Sequence, residues 1–322
     1  MPSLTDIEAA TATVHAVLAP TPQISWPLLS QRAGAEVWVK HENHTPIGAF
    51  KVRGGLVYLA KLKRAEPKVA GIISATRGNH GQSLAFAAKR LGLKATLVVP
   101  YGNSVEKNAA MRAFGAELIE HGNDFDEAYA HARERAAARK LHMVLAFHPW
   151  LVLGVASYAL ELFRAVPDLD TVYVPIGQGS GICGTLAVRD GLNLRTRVVG
   201  VVAANAPAYA LSLARGAPVA TDSAATIADG VACRIPDPHA FELIRSGADR
   251  IVTVSEAEIR AAMRHYFTDT HNLAEGAGAA PLAALLQERE RMRGKKVGLI
   301  LSGGNVDRDV FASVLGRAHG EA

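Results

Sequence analysis

The chain has 322 residues, 49% hydrophobic and 20% charged, with a formal charge of +5. That length allows a large core in two lobes, and the balance is that of an ordinary globular protein. No Lys/Arg block with interleaved aromatics and no apolar window of membrane-span length occurs, so nucleic-acid and membrane-spanning roles are not expected.

In chain order, Thr5 and Glu8 have capping-box spacing and predict a helix to about Leu18, stopped by Pro20 and Pro22. A short strand over 36–40 leads into His41-Glu42-Asn43-His44 and a Pro/Gly loop, and a helical run follows over 56–62. Strands are expected at 69–74, 95–99, 117–120, 171–176, 198–202, 251–254 and 297–301. Helices are expected at 79–91, 104–114, 124–141 and from Trp150 to Val166. Short β-branched runs alternating with helices predict a parallel sheet covered on both faces. Cys183 and Cys233 are too few for a disulfide scaffold and fit a reducing, cytoplasmic compartment. The N-terminus has no basic-then-apolar pattern, so no secretory signal is expected.

One stretch, Thr45-Pro46-Ile47-Gly48-Ala49-Phe50-Lys51-Val52-Arg53-Gly54-Gly55, sets a lysine among small and rigid residues. A desolvated ammonium loses its proton more readily, and the free amine forms Schiff bases with aldehydes. A turn lysine reaching solvent is the ordinary alternative.

Three glycine turns follow strands, where ligands of open α/β sheets bind. Ser74-Ala75-Thr76-Arg77-Gly78-Asn79-His80-Gly81-Gln82 opens a helix whose N-terminus favours a carboxylate or phosphate. Gly177-Gln178-Gly179-Ser180-Gly181-Ile182-Cys183-Gly184 can wrap a phosphate with backbone amides. It also matches G-x-G-x-x-G, but the following strand ends Val201-Val202-Ala203-Ala204-Asn205 with no acid for a ribose, so a single phosphate is favoured over a dinucleotide. Ser302-Gly303-Gly304-Asn305 places a neutral hydroxyl at a strand end. His41 and His44 lack the helical four-residue spacing of a zinc motif, and no metal is expected there.

In their order, these four motifs resemble those of pyridoxal-phosphate enzymes of the tryptophan-synthase-β fold (fold type II), within these the serine/threonine dehydratases and serine racemases. The resemblance spans nearly the whole chain. It implies an α/β fold of two open, twisted, largely parallel sheets flanked by helices. It also implies a large cofactor-binding domain of 1–60 and 150–322, a small mobile domain of 61–149, and a homodimer. Lys51 would hold pyridoxal 5'-phosphate as a Schiff base, with Phe50 against the ring and Asn79 on its 3-hydroxyl. Amides of Gly177, Gln178, Gly179, Ser180 and Gly181 would bind the phosphate. Ser302 would meet the ring nitrogen, and Glu275 lies near the cofactor. A neutral serine leaves that nitrogen largely unprotonated, which favours quick β-elimination over a long-lived carbanion.

Thr76, Asn79 and His80 would hold a substrate α-carboxylate, and the small domain would close over it. The expected reaction is α,β-elimination from a threonine- or serine-like β-hydroxy amino acid, with 3-hydroxyaspartate and phenylserine as further candidates. It releases a 2-oxo acid and ammonia. β-Replacement, racemisation and, from a different class, a nicotinamide-dependent oxidoreductase are the alternatives. Racemases of this family have a serine where this chain has Arg77, which speaks against two-base racemisation. Arg77 either binds a substrate carboxylate or ion-pairs locally. Trp150 either walls the substrate pocket or packs in the core. The segment Val201 to Tyr209 lacks the acids with which racemase-like relatives bind a divalent cation, so no metal is expected. With about 20 residues after Ser302, a regulatory domain of the biosynthetic type, and its feedback, is not expected.

Overall fold

The computed structural model describes residues 2–316. Ten strands form two sheets: β1 (Gln23–Ser25), β2 (Glu36–His41), β3 (Gly71–Ala75), β4 (Lys94–Val99), β5 (Glu117–Glu120), β6 (His142–Met143), β7 (Thr171–Pro175), β8 (Arg197–Ala203), β9 (Arg250–Val254) and β10 (Lys296–Leu301). The larger sheet runs β1-β2-β10-β7-β8-β9 and the smaller β5-β4-β3-β6. Every pairing is parallel except β1 with β2. Central strands such as β3 and β8 are buried nearly throughout, as strands covered by helices on both faces must be.

The expected strands all form, with ends shifted by at most two residues. The two short strands, β1 and β6, carry too few residues to show a periodicity, and they join as edges. Two helix starts differ from expectation. Ser3, not Thr5, caps the first helix, Leu4–His15: Ser3 Oγ accepts from Asp6 N, and Asp6 accepts from Ser3 N. Glu8 pairs with Arg164 instead. The helix expected over 56–62 begins earlier, at Lys51, and runs to Ala65. Gly54 and Gly55 lie within it, where no side chain separates it from its neighbours. A Cβ on Gly55 would stand 2.2 Å from Ser83 Oγ, and one on Gly54 3.0 Å from Leu151 O.

Helices Lys51–Ala65, Asn79–Arg90, Pro149–Ala165 and Ser180–Gly191 share one apolar core that reaches both sheets. Within it lies a charged cluster. Arg53 is fully buried and donates to both oxygens of Glu42, at 2.7 and 2.9 Å. It also donates to both oxygens of Glu161, at 2.6 and 2.9 Å, and to Ser157 Oγ at 2.9 Å. Lys40, also fully buried, donates to Glu161 Oε2 at 2.6 Å and to Thr21 O at 2.7 Å. Two cations face two carboxylates, so the group is neutral, and each charge has several hydrogen bonds. Burial by itself raises the Glu161 carboxyl; the hydrogen bonds and charges of Arg53 and Lys40 overturn that and bring it down to about 2.

The cluster fixes Arg53 two residues beyond Lys51. Arg53→Met would leave two buried carboxylates with one cation, and chemical denaturation should show a loss of about 3–5 kcal/mol. Because the folded Glu161 value lies below its ordinary 4.5, its stabilising contribution is complete above pH 4.5 and fades as pH falls through about 2. Denaturation midpoints of wild type and Glu161→Gln should therefore converge in acid.

Candidate active site

The loop before Lys51 is pinned to the end of β10. Phe50 N donates to Ser302 O at 3.0 Å, Gly304 N donates to Gly48 O at 2.9 Å, and Ala49 bridges Gly303. Thr45 Oγ1 clasps the same loop, accepting from Ala49 N and donating to Ala49 O, each at 2.9 Å. Ser83 Oγ donates to Lys51 O at 2.6 Å. Lys51 Nζ emerges 3.2 Å from Ser180 Oγ and 5.0 Å from the Phe50 ring centre. Burial brings its pKa from 10.5 to about 8.

Beyond β7 the glycine loop becomes helix Ser180–Gly191. Among the described residues, the six amides of 177–182 donate to no protein acceptor. Two buried tyrosines hold the loop by its carbonyls: Tyr158 OH donates to Gly181 O at 2.9 Å and Tyr209 OH to Gln178 O at 3.3 Å. The amides therefore form a cradle at a helix N-terminus, facing the lysine, which suits a phosphate monoester. Phe50 lies close to Gly181, where an added Cβ would stand 3.7 Å from the ring.

The turn after β3 makes a second amide group. Thr76 Oγ1 accepts from Gly78 N and Gly81 N, each at 3.0 Å, so its oxygen is committed to the turn. The amides of Arg77, Asn79 and His80 have no protein acceptor among the described residues. The Asn79 side chain donates to Glu275 Oε1 at 2.7 Å and accepts from Asn305 Nδ2 at 2.8 Å. His80 is buried with Nε2 unpartnered, and burial, with the charge of Lys51, lowers its pKa to about 3. Ser302 is 3% exposed, and its hydroxyl makes no hydrogen bond to the described residues. Glu275 is buried at the start of helix Gly276–Gln287.

The structure thus brings Phe50, Lys51, Asn79, Glu275, Ser302 and the loop of 177–181 into one group linked by contacts through three strand ends. Arg77 lies at its edge, 44% exposed, with Nη2 3.5 Å from Asp229 Oδ1. Trp150 packs edge-on against Tyr58 and His148, and Lys61 Nζ lies over its ring. The Trp150 ring thus belongs to an aromatic group with Tyr58 and His148. Sequence reasoning missed Lys107, which is buried with Nζ 3.3 Å from Asp229 and 3.6 Å from Glu275. A lone lysine on an amphipathic helix carries no signal until the other lobe packs on it.

A family model described as pyridoxal-phosphate dependent enzyme matches residues 14–303. The chain belongs to that family. It is 35% identical to the L-threonine ammonia-lyase of Thermotoga maritima over 98% of this chain and 79% of that one. It resembles the solved structure of a T.th. threonine deaminase with TM-score 0.88 and 32% identity, covering 95% and 99% of the two chains. Maize serine racemase gives TM-score 0.91 at 25% identity, covering 98% and 97%. The tryptophan-synthase-β-like fold and the pyridoxal-phosphate cofactor expected from the motifs are both borne out. The residues present fit that cofactor: an amine with a lowered pKa lies beside a cradle of bare amides, and the loop that carries it is bonded to Ser302, a neutral hydroxyl.

In cofactor-free protein, Lys51 should react with a small aldehyde plus cyanoborohydride at half its maximal rate near pH 8. Reactivity rises with pH because the amine, not the ammonium, attacks. Labelling at Lys51 with a midpoint near 10.5, read by peptide mass spectrometry, would show a fully hydrated side chain.

Proposed function

We propose that the protein is a pyridoxal-phosphate-dependent ammonia-lyase (EC 4.3.1 type) that converts a β-hydroxy amino acid such as threonine or serine to a 2-oxo acid and ammonia. The observation that carries this is the Lys51 amine at the mouth of the 177–182 amide cradle, in a chain 35% identical to an L-threonine ammonia-lyase. When bound, pyridoxal phosphate supplies an electron-withdrawing ring that stabilises negative charge on the substrate α-carbon.

The protein supplies the rest. Amides of 177–182 would hold the phosphate, and Ser302 would offer its hydroxyl to the ring nitrogen without giving it a full positive charge. The amides of Arg77, Asn79 and His80 receive the α-carboxylate, joined by the Thr76 hydroxyl, whose oxygen accepts two turn amides while its own proton stays free to donate. Lys51, whose lowered pKa makes the free amine far more accessible than in a hydrated lysine, takes the α-proton as general base, with Ser180 Oγ orienting its nitrogen. Loss of the α-proton to Lys51 and of the β-hydroxyl, protonated as it departs as water, leaves an enamine that a second water hydrolyses to the 2-oxo acid and ammonia.

Residues 61–149 contain the whole four-stranded sheet and would act as the small mobile domain, joined to the large one through helix Lys51–Ala65, which runs across the boundary. Closure on a bound carboxylate would exclude water. The buried free thiols of Cys183 and Cys233 support a cytoplasmic setting. No helix among the described residues is long and apolar enough to cross a membrane. Exposed Leu28, Phe267 and Val310 lie on three packed helices and support a homodimer.

Racemisation needs a proton donor on the face opposite Lys51. Arg77 stands where racemases have serine, and it pairs with Asp229.

Purified enzyme with threonine should release 2-oxobutanoate, and Lys51→Ala should lower the rate by at least about a thousandfold and abolish the visible cofactor band. Chiral analysis of L-serine incubations should give pyruvate and no D-serine. D-Serine as the main product would replace this reading with racemisation. Sedimentation should give twice the chain mass of 34.0 kDa.

A further inference from the structure

Three motif glycines leave room for side chains that the cofactor cradle does not require. A Cβ on Gly78 would stand 2.4 Å from Lys107 Cδ. One on Gly303 would stand 2.6 Å from Glu275 Oε1, and one on Gly48 2.6 Å from Asn305 Oδ1. The side chains filling these spaces form a single run of contacts. Lys107 Nζ lies 3.6 Å from Glu275 Oε2. Glu275 Oε1 accepts from Asn79 Nδ2 at 2.7 Å. Asn79 Oδ1 accepts from Asn305 Nδ2 at 2.8 Å, and that nitrogen also donates to Ile47 O at 2.8 Å. The run starts on helix Val105–Ala113, crosses the site and ends in the loop before Lys51.

We propose that Lys107 and Asn305 are positioning residues for the cofactor ring, acting through Glu275 and the Asn79 amide. The inference rests on the cofactor of the family and not on the choice of substrate.

The physical reason is the ambiguity of an amide. An Asn side chain turned by 180° exchanges donor and acceptor while filling the same space. Here a carboxylate, which only accepts, faces the Asn79 nitrogen, and an amide nitrogen, which only donates, faces its oxygen. A flipped Asn79 would set oxygen against oxygen and nitrogen against nitrogen. The fixed orientation keeps the second Asn79 N–H for the 3-hydroxyl of the ring. It holds only while Glu275 is ionised, since a protonated carboxyl can donate as well. Burial, with the charge of Asp229, pushes the Glu275 carboxyl above its ordinary value, and the Lys107 charge and the Asn79 hydrogen bond work against that rise, so removing Lys107 favours the protonated form. Lys107 in turn is buried, and Glu275 and Asp229 keep it charged. Asp229 is shared with Arg77, so two cations balance two carboxylates.

A mere tether between lobes would affect stability but not the spectrum of the cofactor. The test is therefore optical and needs no substrate, so its failure is separate from failure of the lyase assignment. Pyridoxal phosphate is titrated into cofactor-free wild type, K107M, K107R, E275Q and the K107M/E275Q double variant. Affinity and the pH midpoint of the visible band are read together. K107M and E275Q should each weaken cofactor binding about tenfold and displace that midpoint. K107R should recover most of the loss, and the double variant should bind no worse than the weaker single variant. Should K107M fail to fold, N305S carries the test, because it removes the donor facing Asn79 Oδ1. Wild-type affinity and pH midpoint in K107M, or in N305S in its place, overturns the proposal. A lowered thermal midpoint as the only change does so too.

Discussion

The buried group of Arg53, Glu42, Glu161 and Lys40 governs where everything else at this site stands. Arg53 follows Lys51 by two residues on one helix, so locking its guanidinium to two carboxylates locks the first turn that carries the reactive amine. The partners come from β2, from the turn after it and from helix Pro149–Ala165. A buried ion group of this kind adds little net stability over apolar packing, since desolvation offsets most of the attraction. It acts by making other arrangements costly: any shift that separates one member leaves a bare charge in the core. The amine is thus placed by a constraint that is electrically neutral and hidden from the site it serves.

The site itself is nearly free of fixed charge where anions bind. Both candidate anion sites are made of backbone amides at helix starts, one after β7 and one after β3. The ionisable groups closest to them are biased toward neutrality. His80 is buried with its pKa lowered to about 3, and Lys51 titrates near 8. Amides in a fixed array need no reorganisation when an anion arrives, and they leave the amine free of a carboxylate partner that would keep it protonated. The charged residues nearby, Lys107, Asp229 and Glu275, are occupied with one another.

Much of this was legible along the chain. A strand followed by a glycine turn and a helix reports a strand end facing ligand, and three such turns named the loops that meet. Lys51 was marked by its apolar, turn-rich setting. What escaped were contacts with no local signature. Thr76 reads as a carboxylate donor from its place before Gly-Asn-His, but that its oxygen also closes the turn by accepting two amides shows only in the structure. Arg77 and Trp150 each had two readings, because the direction of a long side chain depends on which helix from another part of the chain lies over it. Asp229 and Lys107 meet only when the two sheets pack. The helix at Lys51 starts earlier than its composition suggests, because the weakening that glycines bring to an isolated helix is offset here by close contact with Ser83 and Leu151.

What the sequence determined by itself was therefore the local chemistry: strand, turn and helix in alternation, an amine among small residues, and glycines wherever backbone must meet an anion. These follow from short-range rules of backbone conformation and hydration, which act over a few residues. The tertiary structure alone decided which side chains engage one another. Pairing Arg53 with Glu161, or Lys107 with Glu275, joins residues more than a hundred positions apart, and only the packing of two sheets removes the water that would otherwise solvate them.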